Sequence, residues 1–144
     1  MSDIVDIIVG FDQREAVAYH TFVQSIVDNS SIPVRFLPLN TKSLSDYTEV
    51  HNDGSNDFIY SRFLVPHMMN FKGWAIYADG DMVCLEDIKK LWDQRDNKFA
   101  VQLVKHNYKT KIKNKFVNLL HYFLPRSIFL LTFQIKTTHK HVRY

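Results

Sequence analysis

Two acidic residues, Asp79 and Asp81, follow directly after the apolar run at residues 74–78 and are separated only by Gly80. A short apolar run of this kind is typical of a buried strand. Side chains two positions apart in an extended segment point to the same side. Both carboxylates could therefore face one hard cation such as Mg²⁺ or Mn²⁺, which prefer oxygen ligands. Because ligands of open α/β sheets bind outside the carboxyl ends of the strands, we predict a metal site there.

The elements that must position this motif alternate along the chain. Strand patterns precede and follow the run at 74–78, at residues 3–9, 33–39 and 98–104. Helix patterns lie between them: one after Asp12, one at residues 58–64 ending or kinking at Pro66, and one at residues 86–92. This alternation predicts an α/β fold with a mainly parallel sheet flanked by helices. The long polar segment at residues 40–57 is predicted to be a functional loop.

Length and composition restrict the class of protein. A chain of 144 residues suits one domain, and a hydrophobic fraction of 46% provides a core. The lone cysteine, Cys84, cannot form an internal disulfide, which favours a reducing, cytoplasmic setting. The first residues lack the basic and apolar regions of a signal peptide, so none is expected.

Charge divides the chain sharply. All 15 acidic residues lie before residue 97, whereas residues 101–144 contain 9 of the 18 lysines and arginines and no acid. The basic run at 105–115 lacks the aromatic interleaving of a single-strand nucleic-acid platform, so no nucleic acid is expected as a partner. The apolar stretch at 116–135 is interrupted by Pro125 and Arg126, which favours a segment that does not span a membrane. Peripheral membrane contact through this basic tail stays open.

Residues 58–88 combine four features: an aromatic-Ser-Arg helix, a hydrophobic strand, an Asp-x-Asp motif, and an Asp-Ile pair before a short helix. In this combination the segment resembles the core of a GT-A-fold glycosyltransferase and is most similar to family 8. Residues 6–15, DIIVGFDQRE, also resemble the first strand and nucleotide loop of that family. The resemblance covers about residues 3–110. It implies a Rossmann-like GT-A fold, of which this chain holds the N-terminal, donor-binding half.

The resemblance also implies a cofactor and a donor. Asp79 and Asp81 would hold Mn²⁺ or Mg²⁺ bridging the diphosphate of a nucleotide-sugar donor, commonly a UDP-sugar, and Gly80 would lie against the donor with Asp79. The reaction implied is hexosyl transfer, usually with retention of the anomeric configuration. The acceptor would be a glycan or another molecule that the sequence does not identify.

Further positions match the donor site of the family. Gly10, Phe11, Asp12 and Arg14 correspond to the loop that holds the nucleotide base and ribose. Arg62 corresponds to the helix residue that reaches the donor sugar or diphosphate. Each has a simpler interpretation. Asp12 could serve solely as a helix cap, and Arg62 could be a solvated residue or pair with Asp57.

The similarity fades after about Lys111. The expected second half, with the acceptor site and a histidine that completes the metal shell, has no matching context here. We therefore expect residues 1–110 to form the nucleotide-sugar-binding half-domain. Residues 111–144 are expected to be a divergent tail of a truncated or frame-disrupted member, which would limit its activity.

Two other functions fit parts of the sequence. Asp79-Gly80-Asp81-Met82-Val83 also matches the motif of haloacid-dehalogenase-type phosphohydrolases, in which the first aspartate is a nucleophile. That motif normally lies on the first strand of its domain, whereas two strands are predicted before it here. The other alternative is a non-catalytic binding module with a basic tail. In the simplest case, Asp79 and Gly80 form a solvated turn after a strand.

Overall fold

Three parallel strands form a sheet in the part of the chain that the computed structural model describes, residues 4–48 and 60–104. The strands are β1 (Val5–Gly10), β2 (Val34–Leu39) and β3 (Ala75–Ala78). Their order is β2-β1-β3, and β1 pairs in parallel with both neighbours. The predicted parallel α/β architecture is therefore confirmed, with β1 between the other two strands.

Helices cover both faces of this sheet. They are α1 (Ala16–Asn29), α2 (Val65–Met68) and α3 (Ile88–Trp92). Short 3₁₀ helices at Gln13–Glu15 and Ser61–Leu64 lead into α1 and α2, and a third lies at Thr41–Ser43. Pro66 lies in the first turn of α2, where the missing N–H group leaves no helical hydrogen bond unmade. The helix predicted at 58–64 is observed as the 3₁₀ helix Ser61–Leu64, and Pro66 lies in the α-helix that follows it, while residues 58 and 59 lie outside the described part of the chain.

The side chains of β1 alternate between two apolar clusters, as the twofold repeat of a strand requires. Ile7 and Val9 pack with the side chains of α1 that recur at helical spacing, Tyr19, Phe22 and Ile26. Ile8 points to the other face, where it joins a second cluster. The members of the second cluster are Ile8, Leu39, Val65, Ala75 and Tyr77. The sheet is thus buried on both sides at its centre.

Residues 98–104 do not form a strand, so that prediction is wrong. Phe99, Val101 and Leu103 have the alternation of a strand, but all three are exposed. A strand is stable only when its backbone groups pair with a neighbour, and no described strand pairs with this segment. The alternation of apolar residues has the period of a strand, but it does not show whether a neighbouring strand is present to pair with.

The segment that follows the Asp-x-Asp motif is hydrogen-bonded to the C-terminal end of α1. The N–H of Cys84 donates to the hydroxyl of Ser25 at 2.8 Å, and the amide of Asn29 donates to the carbonyl of Cys84 at 3.1 Å. Farther on, the N–H of Ser31 donates to Asp87, which caps α3. The hydrogen bonds that Asp87 accepts lower its pKa, and the bond from the Ser31 hydroxyl contributes most. Residues 82–87 are therefore held against a rigid element.

Within the described ranges, no helix is long and apolar enough to cross a membrane. The predicted tail at 111–144 and its apolar stretch lie outside the described residues, as do Asp57 and the second half of the predicted polar loop.

Burial of the sheet centre predicts unequal effects for two identical substitutions. Val9→Ala removes two methyl groups from a fully buried position on β1 and should lower the free energy of unfolding by about 2 kcal/mol. Val17→Ala changes a side chain on α1 that is 82% exposed, and it should be neutral or slightly stabilising because alanine favours helices. Urea unfolding of both variants tests this, and equal losses would contradict the described core.

Candidate functional site

Strand β3 ends at Ala78 and delivers Asp79 to the carboxyl edge of the sheet. Asp79 is buried although it carries a carboxyl group, with 8% of its surface exposed. Tyr77, two positions earlier, is fully buried, and its hydroxyl donates a hydrogen bond to Oδ1 of Asp79 at 3.2 Å. A spacing of two places both side chains on the same face of the strand, which explains the contact.

Arg62 reaches the same carboxylate from the helical segment that covers this face. It lies in the 3₁₀ helix that leads into α2, and Val65 of α2 packs in the same apolar cluster as Tyr77. Its Nη2 donates to Oδ1 of Asp79 at 3.1 Å, and its guanidinium lies 5.5 Å from the ring centre of Tyr77. At 5% exposure, Arg62 is not a solvated helix residue. Arg62, Tyr77 and Asp79 form one buried group, the Asp79 cluster.

Both donors of the Asp79 cluster use the same oxygen. Oδ1 accepts from Arg62 and from Tyr77, while no described residue donates to Oδ2. The Asp79 side chain keeps 12% of its surface exposed, and Oδ2 is not among the buried polar atoms that lack a hydrogen-bond partner. A carboxylate with one oxygen held by the protein and the other without a donor among the described residues is suited to bind a cation through that second oxygen.

The surroundings of Asp79 make its ionisation less favourable than in water. Burial raises the pKa of Asp79, and the nearby charge of Asp81 raises it further. The Arg62 guanidinium and the Tyr77 hydrogen bond oppose this but do not cancel it. Burial and the charge of Asp79 also hold the pKa of Tyr77 well above its ordinary value, so its hydroxyl stays a donor. An added cation would therefore stabilise the ionised form of Asp79.

Asp81 differs from Asp79 in its surroundings. The chain bends at Gly80 and Asp81 instead of continuing the strand, and Asp81 is exposed. The two carboxylates still interact, because the charge of Asp81 contributes to the raised pKa of Asp79. The sequence predicts two equivalent ligands on an extended strand, whereas the structure has one buried and one exposed carboxylate.

Gly80 brings the ends of β1 and β3 into direct contact. A Cβ atom at this position would lie 2.7 Å from the carbonyl oxygen of Gly10 and 3.5 Å from the Cβ of Tyr19. The first distance is shorter than any ordinary contact, and the neighbouring atom belongs to the backbone, so glycine alone fits without displacement. The loop after β1 and the Asp-x-Asp motif are therefore adjacent, as a shared ligand site requires.

The loop after β1 is ordered by its own contacts. Asp12 is 3% exposed and caps the following 3₁₀ helix by accepting from the N–H of Arg14 at 2.9 Å. The Arg14 side chain is mostly exposed and also donates to the Asp12 carboxylate, through Nε at 3.0 Å. Phe11 lies edge-on to Tyr19, with ring centres 5.2 Å apart. Helix capping thus accounts for Asp12, and a nucleotide role for these residues stays a prediction.

The oxygen atoms present fit a hard cation only with help from a ligand. The described residues contain no group of three or more histidine, cysteine or acidic side chains that could hold a metal ion. Asp79 and Asp81 provide carboxylate oxygens, and among the described residues only Oδ1 of Asp79 accepts a hydrogen bond from the protein. Mg²⁺ commonly binds through one or two carboxylates together with substrate phosphates and waters, which is the kind of site that this pair can form.

The hydrogen bond from the Tyr77 hydroxyl to the Asp79 carboxylate is not among the contacts predicted from the sequence. The signal was present, since Tyr77 and Asp79 are two positions apart on one predicted strand. The Arg62 contact had no comparable local signal, because 17 residues separate Arg62 from Asp79.

Comparison with known proteins supplies the context for this geometry. The family described as glycosyl transferase family 8 matches residues 8–124. Protein CDI of Arabidopsis thaliana is 38% identical over 124 residues, which are 83% of this chain and 48% of that protein. The chain thus spans about half the length of the curated relative that it matches. No solved structure matches the chain. The family match extends past residue 111, where the resemblance of the sequence fades, and the domain boundary at 110 stays a prediction.

The contact at Gly80 predicts a loss of stability for Gly80→Ala. The new methyl group would collide with the Gly10 carbonyl, and the resulting displacement should cost about 1–3 kcal/mol in the free energy of unfolding. Gly73→Ala is the contrasting variant, because it has open space around its Cβ and its cost comes from a φ of +74° alone. Because this displacement lies where the ends of β1 and β3 meet, Gly80→Ala should also weaken binding of a ligand held between them, whereas Gly73→Ala should not. Unchanged stability of Gly80→Ala would contradict the close approach of the two loops.

The raised pKa of Asp79 predicts how stability depends on pH without metal. Between the ordinary value of 3.8 and the raised value, the folded state keeps a proton that the unfolded state has released. The free energy of unfolding should therefore fall as pH rises through this window and stay lower above it. Asp79→Asn cannot ionise and should lack this loss. Urea unfolding in EDTA at a series of pH values tests the difference, and a difference independent of pH would contradict the burial of Asp79.

Proposed function

Because the chain belongs to glycosyl transferase family 8, we propose that it binds the diphosphate of a nucleotide-sugar donor at the carboxyl edge of its sheet. Asp79 and Asp81 would hold the divalent cation, Mn²⁺ or Mg²⁺, to which that diphosphate binds. The observation that carries this proposal is the asymmetry of Asp79, whose Oδ1 accepts two protein hydrogen bonds while Oδ2 accepts none from the described residues.

Glycosyl transfer breaks the bond between the sugar and the diphosphate, and negative charge grows on the departing oxygens. A bound divalent cation supplies neutralisation of that charge when it is present. The task of Asp79 is to hold its carboxylate in a fixed orientation, and that of Asp81 is to offer a second oxygen from the exposed side. Fixed groups of this kind need no reorganisation during the reaction, which is why they stabilise developing charge better than water does.

Arg62 would add a second fixed positive charge beside the diphosphate. Its guanidinium is buried against Tyr77 and bonded to Asp79, so its position is set before any ligand arrives. The planar fork of arginine can bond more than one oxygen at a time, and Nη2 of Arg62 already donates to Asp79. We propose that Arg62 orients the diphosphate or the donor sugar while it also keeps Asp79 in place.

The loop after β1 would hold the nucleoside. Gly10 contacts the Asp-x-Asp motif through Gly80, and Phe11, Asp12 and Arg14 follow it directly. The Asp12–Arg14 pair fixes the backbone of this loop, and Phe11 offers an aromatic edge beside it. A nucleoside in this loop would leave its diphosphate near Asp79, which is consistent with a UDP-sugar as the donor.

The transfer reaction of the whole protein is also a proposal, since the chain spans about half of its curated relative. We propose hexosyl transfer to a glycan or another acceptor, with residues 1–110 acting as the donor-binding half. A cytoplasmic setting is proposed from the lone Cys84. The phosphohydrolase alternative is not favoured, because Asp79 follows the third strand of the described chain and the family match is to glycosyltransferases.

Calorimetric titration of the full chain with UDP, with and without Mn²⁺, tests this proposal. Binding should require Mn²⁺ and should weaken by about 100-fold in Asp79→Asn, because the amide removes the negative charge that holds the cation. Asp28→Asn is the matched control, since it makes the same change on the exposed surface of α1 and should bind as wild type.

Two results would contradict the proposal. UDP binding that is equally tight without a divalent cation would remove the role of the metal. Equal weakening in Asp79→Asn and Asp28→Asn would show an effect of net charge instead of a site at Asp79. Circular dichroism of each variant confirms that the folded state is being compared.

A further inference from the structure

We propose that Tyr77 is a positioning residue that sets how the Asp79 carboxylate binds a cation. Its hydroxyl holds Oδ1 in place, so that the carboxylate offers Oδ2 alone and binds through a single oxygen. This inference rests on the proposed function, because it concerns the same cation. It goes beyond that function by assigning the orientation of the ligand, and hence the choice among divalent ions, to a residue that does not touch the metal.

The geometry behind this inference is a pair of donors that converge on one oxygen. The Tyr77 hydroxyl lies 3.2 Å from Oδ1 and the Arg62 Nη2 lies 3.1 Å from the same atom. One donor alone would leave the carboxylate able to turn about its terminal bond, since that torsion is broad. Two donors from different elements, the 3₁₀ helix at Ser61–Leu64 and β3, hold Oδ1 in place, and the position of Oδ2 follows from it.

Tyr77 is a rigid source for one of these bonds. The residue is fully buried, and its ring packs among the side chains of Ile8, Leu39 and Val65 on one face of the sheet. The guanidinium of Arg62 lies against the same ring. The hydroxyl is therefore fixed by strand β3 and by the core, and not by the ligand.

The chemical consequence is a preference between ions. Mg²⁺ demands a near-ideal octahedral shell of short bonds, whereas Ca²⁺ accepts a larger shell with carboxylates bound through one or both oxygens. A carboxylate that binds through one oxygen suits a small octahedral ion, Mg²⁺ or Mn²⁺. Without the Tyr77 hydroxyl, the carboxylate of Asp79 could turn and present both oxygens, which favours Ca²⁺ over Mn²⁺.

The test is titration of the full chain with Mn²⁺ and, separately, with Ca²⁺, each with and without UDP. Tyr77→Phe removes the hydroxyl and keeps the ring. Tyr19→Phe is the matched control, because Tyr19 is also buried but lies in the cluster on the opposite face of the sheet, and no described residue hydrogen-bonds to its hydroxyl. Tyr77→Phe should weaken Mn²⁺ binding by about 10-fold, as expected for a residue that orients a ligand.

The ratio of the dissociation constants for Mn²⁺ and Ca²⁺ tests the role of Tyr77 even if Tyr77→Phe is less stable than wild type. A smaller folded fraction weakens both ions by the same factor and leaves the ratio unchanged. A shift of the ratio toward Ca²⁺ in Tyr77→Phe, with Tyr19→Phe like wild type, would support the proposal. An unchanged ratio in Tyr77→Phe, or equal shifts in both variants, would overturn it.

Comparison of Asp79→Asn with Tyr77→Phe distinguishes a wrong role for Tyr77 from a wrong metal site. Asp79→Asn, measured in the same series, should weaken the Mn²⁺-dependent binding of UDP by about 100-fold. If it does so while Tyr77→Phe binds both ions as wild type, the metal site stands and the positioning role is wrong. If Asp79→Asn retains wild-type metal affinity, the proposed function itself is wrong, and the positioning role is wrong with it.

Discussion

The site depends on a buried carboxylate that the protein stabilises through one of its two oxygens. Moving an ionised carboxyl group out of water is costly unless it is paired and hydrogen-bonded. Arg62 supplies the charge and Tyr77 the second bond, yet the pKa of Asp79 remains raised because burial outweighs both. A cation at Oδ2, to which no described residue donates, would supply further stabilisation. Burial of Asp79 thus lowers the stability of the folded protein, and a bound cation would restore that stability.

The rest of the described structure keeps that carboxylate in place. Parallel pairing of β1 with β3 puts the ends of both strands at one edge, and glycine at position 80 lets them meet closely. The strand repeat puts Tyr77 and Asp79 on the face that α2 covers, next to Arg62. On the opposite face, α1 packs on β1 and fastens the segment after the motif through Ser25 and Asn29. Each layer of the fold therefore limits the movement of the same few atoms.

Periodicity was sufficient to predict the parallel sheet and its helices, because burial on two faces requires a particular spacing of apolar residues. It was not sufficient at residues 98–104, where the pattern of a strand occurs without a described partner strand. Within the site, Asp79 was predictable as an acid at the end of a buried strand. The Arg62–Asp79 pair and the contact of Gly80 with Gly10 depend on the packing of distant segments, so no local pattern could reveal them. The unequal exposure of Asp79 and Asp81 arises from the bend at Gly80, which the assumption of an extended chain missed.

We propose that Asp79 binds a divalent cation through Oδ2 while Arg62 and Tyr77 hold Oδ1. A crystal structure of the chain with UDP and Mn²⁺, with the ion located by its anomalous scattering, tests this most directly. We expect Mn²⁺ at about 2.1 Å from Oδ2, a distance typical of small octahedral ions on oxygen, with the bonds from Arg62 and Tyr77 to Oδ1 retained. An ion bound away from Asp79, or UDP bound at this edge of the sheet without an ion, would contradict it.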